Sequence, residues 1–359
     1  MGVVLHGDRM TPKERIAAFA TGKEFDRLPC FLSLGETATS LIGKTVAEYH
    51  HSPRVMADVD VATYRLFGQD GVGVGPGFHG IAEAMGTGLC FPDFNVPYIA
   101  EPVVRDYDDI DRLEPADPYR DGRLPLFLEA TQLIIDELGD EVNVGSGIGG
   151  PFSIAACLRG TEYFLRDLRK NPEAAHRLLR LATESALRYI DAVSELGIAP
   201  GFADPVASGT VISAAQFREF AQPYLKICTD RINEKCGKRP NLHICGDTSR
   251  IWTEMADTGA ATLSLDNIVD LAAAKEAVGN RVCLMGNVSP AQTLHKGTPA
   301  DVEAEARSCI RKAYDSPKGY FLAAGCQIPI GTPVENIKAL IDTARIYGKW
   351  PIAPERLNP

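Results

Sequence analysis

No apolar run among the 359 residues approaches the ~20 needed to cross a bilayer. The chain also lacks an excess of positive charge. Lys plus Arg number 37 and Asp plus Glu 47, for a net charge of −10. An acidic chain without basic runs is a poor ligand for nucleic acid or anionic membranes. Low-complexity segments and fixed-period repeats are absent, which excludes tails and solenoids. The first residues, MGVVLHGDRMTPKER, carry charges where a secretory signal would carry its apolar core. These absences point to the cytoplasm. A disulfide framework is missing too: the nine cysteines are odd in number and scattered from Cys30 to Cys326. In a reducing compartment Cys30, Cys90, Cys157, Cys228, Cys236, Cys283 and Cys309 read as small core residues.

What is present is ample apolar material, 45% of residues against 23% charged, enough to order a globular core. Short apolar runs bounded by Gly, Pro and Asp alternate with longer amphipathic stretches. The strand candidates are Cys30–Leu34, Gly71–Gly75, Glu141–Ile148, Ile198–Asp204, Asn241–Gly246, Ala261–Asp266, Val282–Val288 and Tyr320–Cys326. The helix candidates are Pro172–Leu196 with an Asn171 cap, Ser213–Cys236, Thr298–Tyr314 and Thr332–Tyr347. The first of these repeats Leu178, Leu179, Ala182, Ala186, Ile190 and Val193 near helical spacing.

Eight strands alternating with helices predict a (β/α)8 barrel, with an open doubly wound sheet as the competing arrangement. Most of the runs end in polar or glycine positions, as the catalytic rim of a barrel requires. Residues 1–359 are therefore read as one barrel domain. It carries an N-terminal extension, and the Pro-rich segment between Gly77 and Asp140 forms an insertion over the mouth. GSGIGGPF at Gly145–Phe152 reads as a strand end turning into a Pro-started helix. The glycines of Gly71–Gly80 are read as room for a flat, bulky group at the rim. His50-His51 reads as a solvated helix end.

His243 and Cys245 are two apart on a strand candidate and share a face. Cys326 ends the last candidate. Spacing alone leaves two readings open: a core thiol beside a hydrogen-bonded histidine, or three ligands of a catalytic zinc whose fourth position stays free.

The segments around these residues are NLHICGDTSRIWTEMADTGA and YFLAAGCQIPIGTPVENIKALIDTAR. With GNVSPAQTL, AEAMG and DPVASGTVISAAQFREFAQPYL, they resemble the uroporphyrinogen decarboxylase superfamily over nearly the whole chain, from TPKERIAAFATGKEFDRLPC onward. The resemblance implies a TIM barrel. Two departures set the chain apart from the decarboxylases themselves. The segment after the first strand, FLSLGETATSLIGKTVAEYH, has no arginine to hold propionates, and Gly77 stands where a pyrrole-binding aspartate is expected. The other branch, the corrinoid-linked methyltransferases that act on coenzyme M or on methyl ethers, shares the H-x-C…C pattern. It implies His243, Cys245 and Cys326 as catalytic zinc ligands, with zinc activating a substrate thiol or ether oxygen. Asp204, Asp266, His79 and Glu83 are the candidate substrate-binding residues at the rim. All three rim aspartates, Asp204, Asp247 and Asp266, could orient ligands, and Asp247 and Asp266 are equally read as capping the following helices. No D-x-H-x-x-G signature occurs, so the resemblance implies a corrinoid (cobalamin) carried by a partner protein. Porphyrinogen decarboxylation and a non-catalytic barrel are the competing functions.

Overall fold

The computed structural model describes residues 6–358. Its strands are β1 (Cys30–Phe31), β2 (Gly71–Gly73), β3 (Gly88–Cys90), β4 (Tyr98–Glu101), β5 (Asn143–Gly145), β6 (Gly147–Gly149), β7 (Gly201–Ala203), β8 (Asn241–Ile244), β9 (Thr262–Leu265), β10 (Cys283–Val288) and β11 (Tyr320–Ala324). Each apolar run read from the sequence contains a parallel strand. β6 to β11 lie side by side in chain order, and β11 pairs with β1. The run at 141–148 is one segment interrupted at Ser146. Its first half pairs with β2 and its second with β7. The remaining seam, between β1 and β2, is held by Asp70. Its N–H donates to the Cys30 carbonyl at 2.9 Å, and its Oδ2 accepts from the Cys30 N–H at 2.7 Å. A side chain thus stands in for a ladder bond, and the sheet curls closed into the (β/α)8 barrel.

Helices coat this sheet because their sequences carry one apolar face. Pro172–Glu195 is the clearest case. Asn171 accepts from the Ala174 N–H, and all six periodic residues from Leu178 to Val193 are buried. Burying each Leu, Ile or Val side chain contributes roughly 1.5–3 kcal/mol. Thr298 caps Pro299–Ala313 through a capping box with Asp301. The stretch 213–236 is not one helix. A helical turn at Ala214–Gln216 passes through a wide π turn at Phe217–Ala221 into Gln222–Cys236. Pro223 has no N–H to continue the ladder, which forces the break. Five of the seven cysteines read as core residues are buried; Cys90 and Cys236 are half-buried, and all are free thiols.

The segment from 77 to 140 is more ordered than a loop insertion. It contains the helix Gly77–Ala84, the antiparallel hairpin β3–β4 and the helix Leu124–Leu138, which packs outside the barrel against Pro53–Phe67. The hairpin tip does reach the mouth: Phe94 and Val96 line a cleft with Gln327, next to Cys326. The N-terminal helix Pro12–Ala20 covers the opposite end. There Arg15, fully buried, reaches Asp26 at 2.6 Å and Asp70 at 2.5 Å, while Arg27 reaches Asp70 at 2.6 Å and Asp8 at 2.8 Å.

The glycines of β2 serve strand contact, not a bulky ligand. A Cβ on Gly73 would lie 2.1 Å from the Gly145 carbonyl oxygen, and one on Gly75 would lie 2.3 Å from that of Gly147. GSGIGGPF forms the expected strand end and Pro-started helix, Pro151–Arg159.

Candidate metal centre at the barrel mouth

His243 sits in β8, between Ala203 of β7 and Ser264 of β9. Its neighbours Leu242 and Ile244 are buried on the other face, so strand alternation turns the imidazole inward. Cys245 follows the strand, where the chain turns through Gly246 in the left-handed region (φ +79). A Cβ there would meet the Thr210 hydroxyl at 2.6 Å, so the turn needs glycine. Cys326 stands two residues beyond β11. The ligand atoms of all three lie within 4.8 Å of one another, and no other group of three or more His, Cys, Asp or Glu side chains is so arranged among the described residues.

The distances suit a tetrahedral ion. The Cys245 and Cys326 sulfurs are 3.7 Å apart, and His243 Nε2 is 3.2 Å from the Cys245 sulfur. Two thiolates on one tetrahedral zinc, each bonded at ~2.3 Å, stand ~3.8 Å apart. His243 Nδ1 lies 3.2 Å from the Ser264 carbonyl oxygen and 3.1 Å from its hydroxyl. A carbonyl can only accept, so Nδ1 carries a proton, and loss of the second proton would turn an Nε2 lone pair toward the sulfurs. The electrostatics favour an anionic sulfur here. A hydrogen bond from Cys245, opposed by burial and aided by His243, lowers the Cys326 thiol to about 4. The same contact raises Cys245. Burial opposes a charged His243, but the Cys326 sulfur outweighs it and raises the imidazole.

Asp266 accepts the Gly246 N–H at 2.8 Å through Oδ2 and the Ile268 N–H at 3.2 Å through Oδ1. It therefore anchors the turn that carries Cys245. Asp247 is exposed and accepts from Ser249, a local turn contact. Asp204 is wholly buried: Oδ1 accepts the Ser153 N–H at 2.7 Å, at the start of Pro151–Arg159, and Oδ2 has no partner. Burial, partly offset by Ser153 and Phe152, raises this carboxyl to about 6. His79 and Glu83 lie together on Gly77–Ala84, in a cluster outside the three-ligand group. Glu83 holds Arg123 at 2.8 Å. Burial, with Arg123 nearby, drops His79 to about 4.

That cluster contains residues the sequence did not single out. His50 is buried, not solvated. Its Nδ1 lies 3.1 Å from Arg123 Nη1 and its Nε2 2.6 Å from Glu36. Glu36 in turn accepts from the Gln327 amide at 3.2 Å, one residue past Cys326. Residues from five separate segments meet here, and no local periodicity marks them. The only sequence signal was Glu36 at a strand end.

The family model described as uroporphyrinogen decarboxylase (URO-D) matches residues 11–347. A methylcobamide:CoM methyltransferase of Methanosarcina barkeri is 32% identical over 339 residues, covering 92% of this chain and 96% of the relative. A uroporphyrinogen decarboxylase of Aromatoleum aromaticum is 28% identical over 277 residues, covering 75% of this chain and 76% of the relative. Among solved structures, a methyltransferase from Methanosarcina mazei superposes with a TM-score of 0.84 at 29% identity, covering 94% of this chain and 98% of that one.

Proposed function

The chain belongs to the uroporphyrinogen decarboxylase family, and on that premise we propose that it is a zinc-dependent, corrinoid-linked methyltransferase. It moves a methyl group between a small thiol, or a methyl ether or phenol oxygen, and the cobalt of a corrinoid held by a partner protein. The observation that carries this reading is the convergence of His243, Cys245 and Cys326 at the mouth, with the sulfurs at 3.7 Å. The end-to-end similarity to methylcobamide:CoM methyltransferases supports the same branch. When bound by two thiolates and a neutral imidazole, Zn²⁺ supplies Lewis acidity to a substrate sulfur or oxygen.

The protein's own groups prepare that site. Ser264 fixes the His243 tautomer, and Asp266 fixes the Cys245 turn. The contacts from Cys245 and His243 favour the anionic form of the Cys326 sulfur. Three donors leave one tetrahedral position for substrate. One contiguous core from Leu28 to Leu357 supports reading the chain as a single domain. No described helix is long and apolar enough to cross a membrane, and nine free thiols support a reducing, cytoplasmic setting.

X-ray absorption at the zinc edge, with and without substrate, tests the proposal. A thiol should add one sulfur at ~2.3 Å, and an oxygen substrate one light atom at ~2.0–2.2 Å. Substrates that turn over while the zinc shell stays unchanged would overturn it.

A further inference from the structure

The methyltransferase reading leaves open which thiols or ethers enter the mouth, and the inference here rests on that reading. Glu36 begins the 3-10 turn after β1, on the rim, half-buried. Its two oxygens are occupied by His50 Nε2 at 2.6 Å and the Gln327 amide at 3.2 Å. Burial opposes its ionisation, and the contacts with His50 and Gln327 favour the charged carboxylate.

Among the described residues no Lys or Arg pairs with it. Arg123 donates through Nε to Glu83 at 2.8 Å and through Nη1 to His50, at both Nδ1 and the carbonyl oxygen. Its guanidinium also lies over the Phe91 and Phe127 rings, 4.4 and 5.2 Å from their centroids. A guanidinium only donates, so His50 Nδ1 accepts, its proton sits on Nε2 facing Glu36, and the ring is neutral. Burial keeps His79 neutral as well. On the loops that leave the strands' carboxyl ends, Lys44 and Arg218 pair with Glu48 and Glu254, and Arg250 and Lys296 are exposed. The cleft of about 420 Å³ beside Gln327 presents Phe94, Val96, Ile328 and Ile330.

We propose that Glu36 is a specificity-determining charge. It selects thiol or ether substrates whose far end is uncharged or cationic, and it turns away those ending in a sulfonate or carboxylate. In a half-buried site an unscreened carboxylate repels a second anion over several ångströms.

The test uses the zinc-loaded full chain and three two-carbon thiols that differ only at the far end: 2-mercaptoethanol, cysteamine and 2-mercaptoethanesulfonate. Calorimetry gives each affinity, and zinc-edge absorption records whether sulfur enters the metal shell. The sulfonate should bind at least tenfold more weakly than 2-mercaptoethanol. Glu36→Gln should shrink that ratio at least threefold, a comparison that cancels intrinsic differences between the thiols, whereas Glu36→Asp should keep it. A sulfonate that adds its sulfur and binds as tightly as the neutral thiol overturns the inference alone. So does a folded Glu36→Gln protein with an unchanged ratio. If the Gln variant does not fold, the wild-type ranking decides. If no thiol enters the metal shell, the thiol form of the methyltransferase reading fails and takes this inference with it.

Discussion

The Cys245 and Cys326 sulfurs stand 3.7 Å apart although 81 positions separate them in the chain. They are too far apart for a disulfide and well placed to share one ion. The purified protein should therefore hold about one zinc per chain. Cys245→Ala or Cys326→Ala should lose most of it, as measured by elemental analysis after dialysis against a weak chelator. Full occupancy in both variants would remove these residues from the site.

The protein should not decarboxylate uroporphyrinogen. The segment after β1 carries no arginine, Gly77 offers no carboxylate for pyrrole N–H groups, and Arg123 is already engaged by Glu83 and His50. Incubation with uroporphyrinogen should leave it unchanged. Coproporphyrinogen formed only in the presence of enzyme would overturn the branch assignment.

Asp60 makes stability depend on pH. It is buried on Pro53–Phe67 with Oδ2 unpartnered. Burial, only partly offset by the Gly73 N–H, raises it to about 7. The folded chain then keeps a proton that the unfolded chain releases near pH 4, so stability falls as pH rises from about 4 to 7. The loss attributable to this group is on the order of 3 kcal/mol. Asp60→Asn should flatten the difference between urea unfolding at pH 4.5 and pH 7.5 by that amount. An unchanged difference would show that Asp60 is ionised in the fold.

Gly150 and Asp204 form a steric pair. A Cβ on Gly150 would lie 2.2 Å from Asp204 Oδ2 and 2.3 Å from its Cγ. The carboxylate cannot retreat, because Ser153 holds it at 2.7 Å. Gly150→Ala should destabilise by about 2 kcal/mol or more. Adding Asp204→Gly, which also removes the Cβ that would lie 2.5 Å away, should recover at least about 1 kcal/mol of coupling in a double-mutant cycle. Additive effects would show that the two positions do not press on each other.

The barrel was legible because each strand announces itself locally, as a short apolar run closed by a polar or glycine residue. The sulfur site was legible for the same reason: His243 and Cys245 share a strand period, and Cys326 ends another run. The second cluster was not. His50 looks like a helix-end histidine until Arg123, 73 positions away, is folded against it. The role of the β2 glycines was misread because composition records small residues but not the Gly145 and Gly147 carbonyls that crowd them. Asp204 carries a rim position in sequence and a buried helix-start contact in the fold. Only Pro223, which breaks the expected 213–236 helix, was a local signal that could have been read.

The weak β1–β2 seam has a consequence for how the chain is made. β1 is two residues long, and among the described residues its one strand partner is β11. Below it, the Leu28 N–H donates to the Gly348 carbonyl, the Trp350 N–H donates to the Asp26 carbonyl, and Arg345 reaches Asp8. The first strand is thus secured by the last tenth of the polypeptide. On a ribosome the first strand must wait for its sheet partner for almost the entire synthesis. A nascent chain stalled before Tyr320 should leave residues 12–31 open to protease, whereas the released chain should protect them.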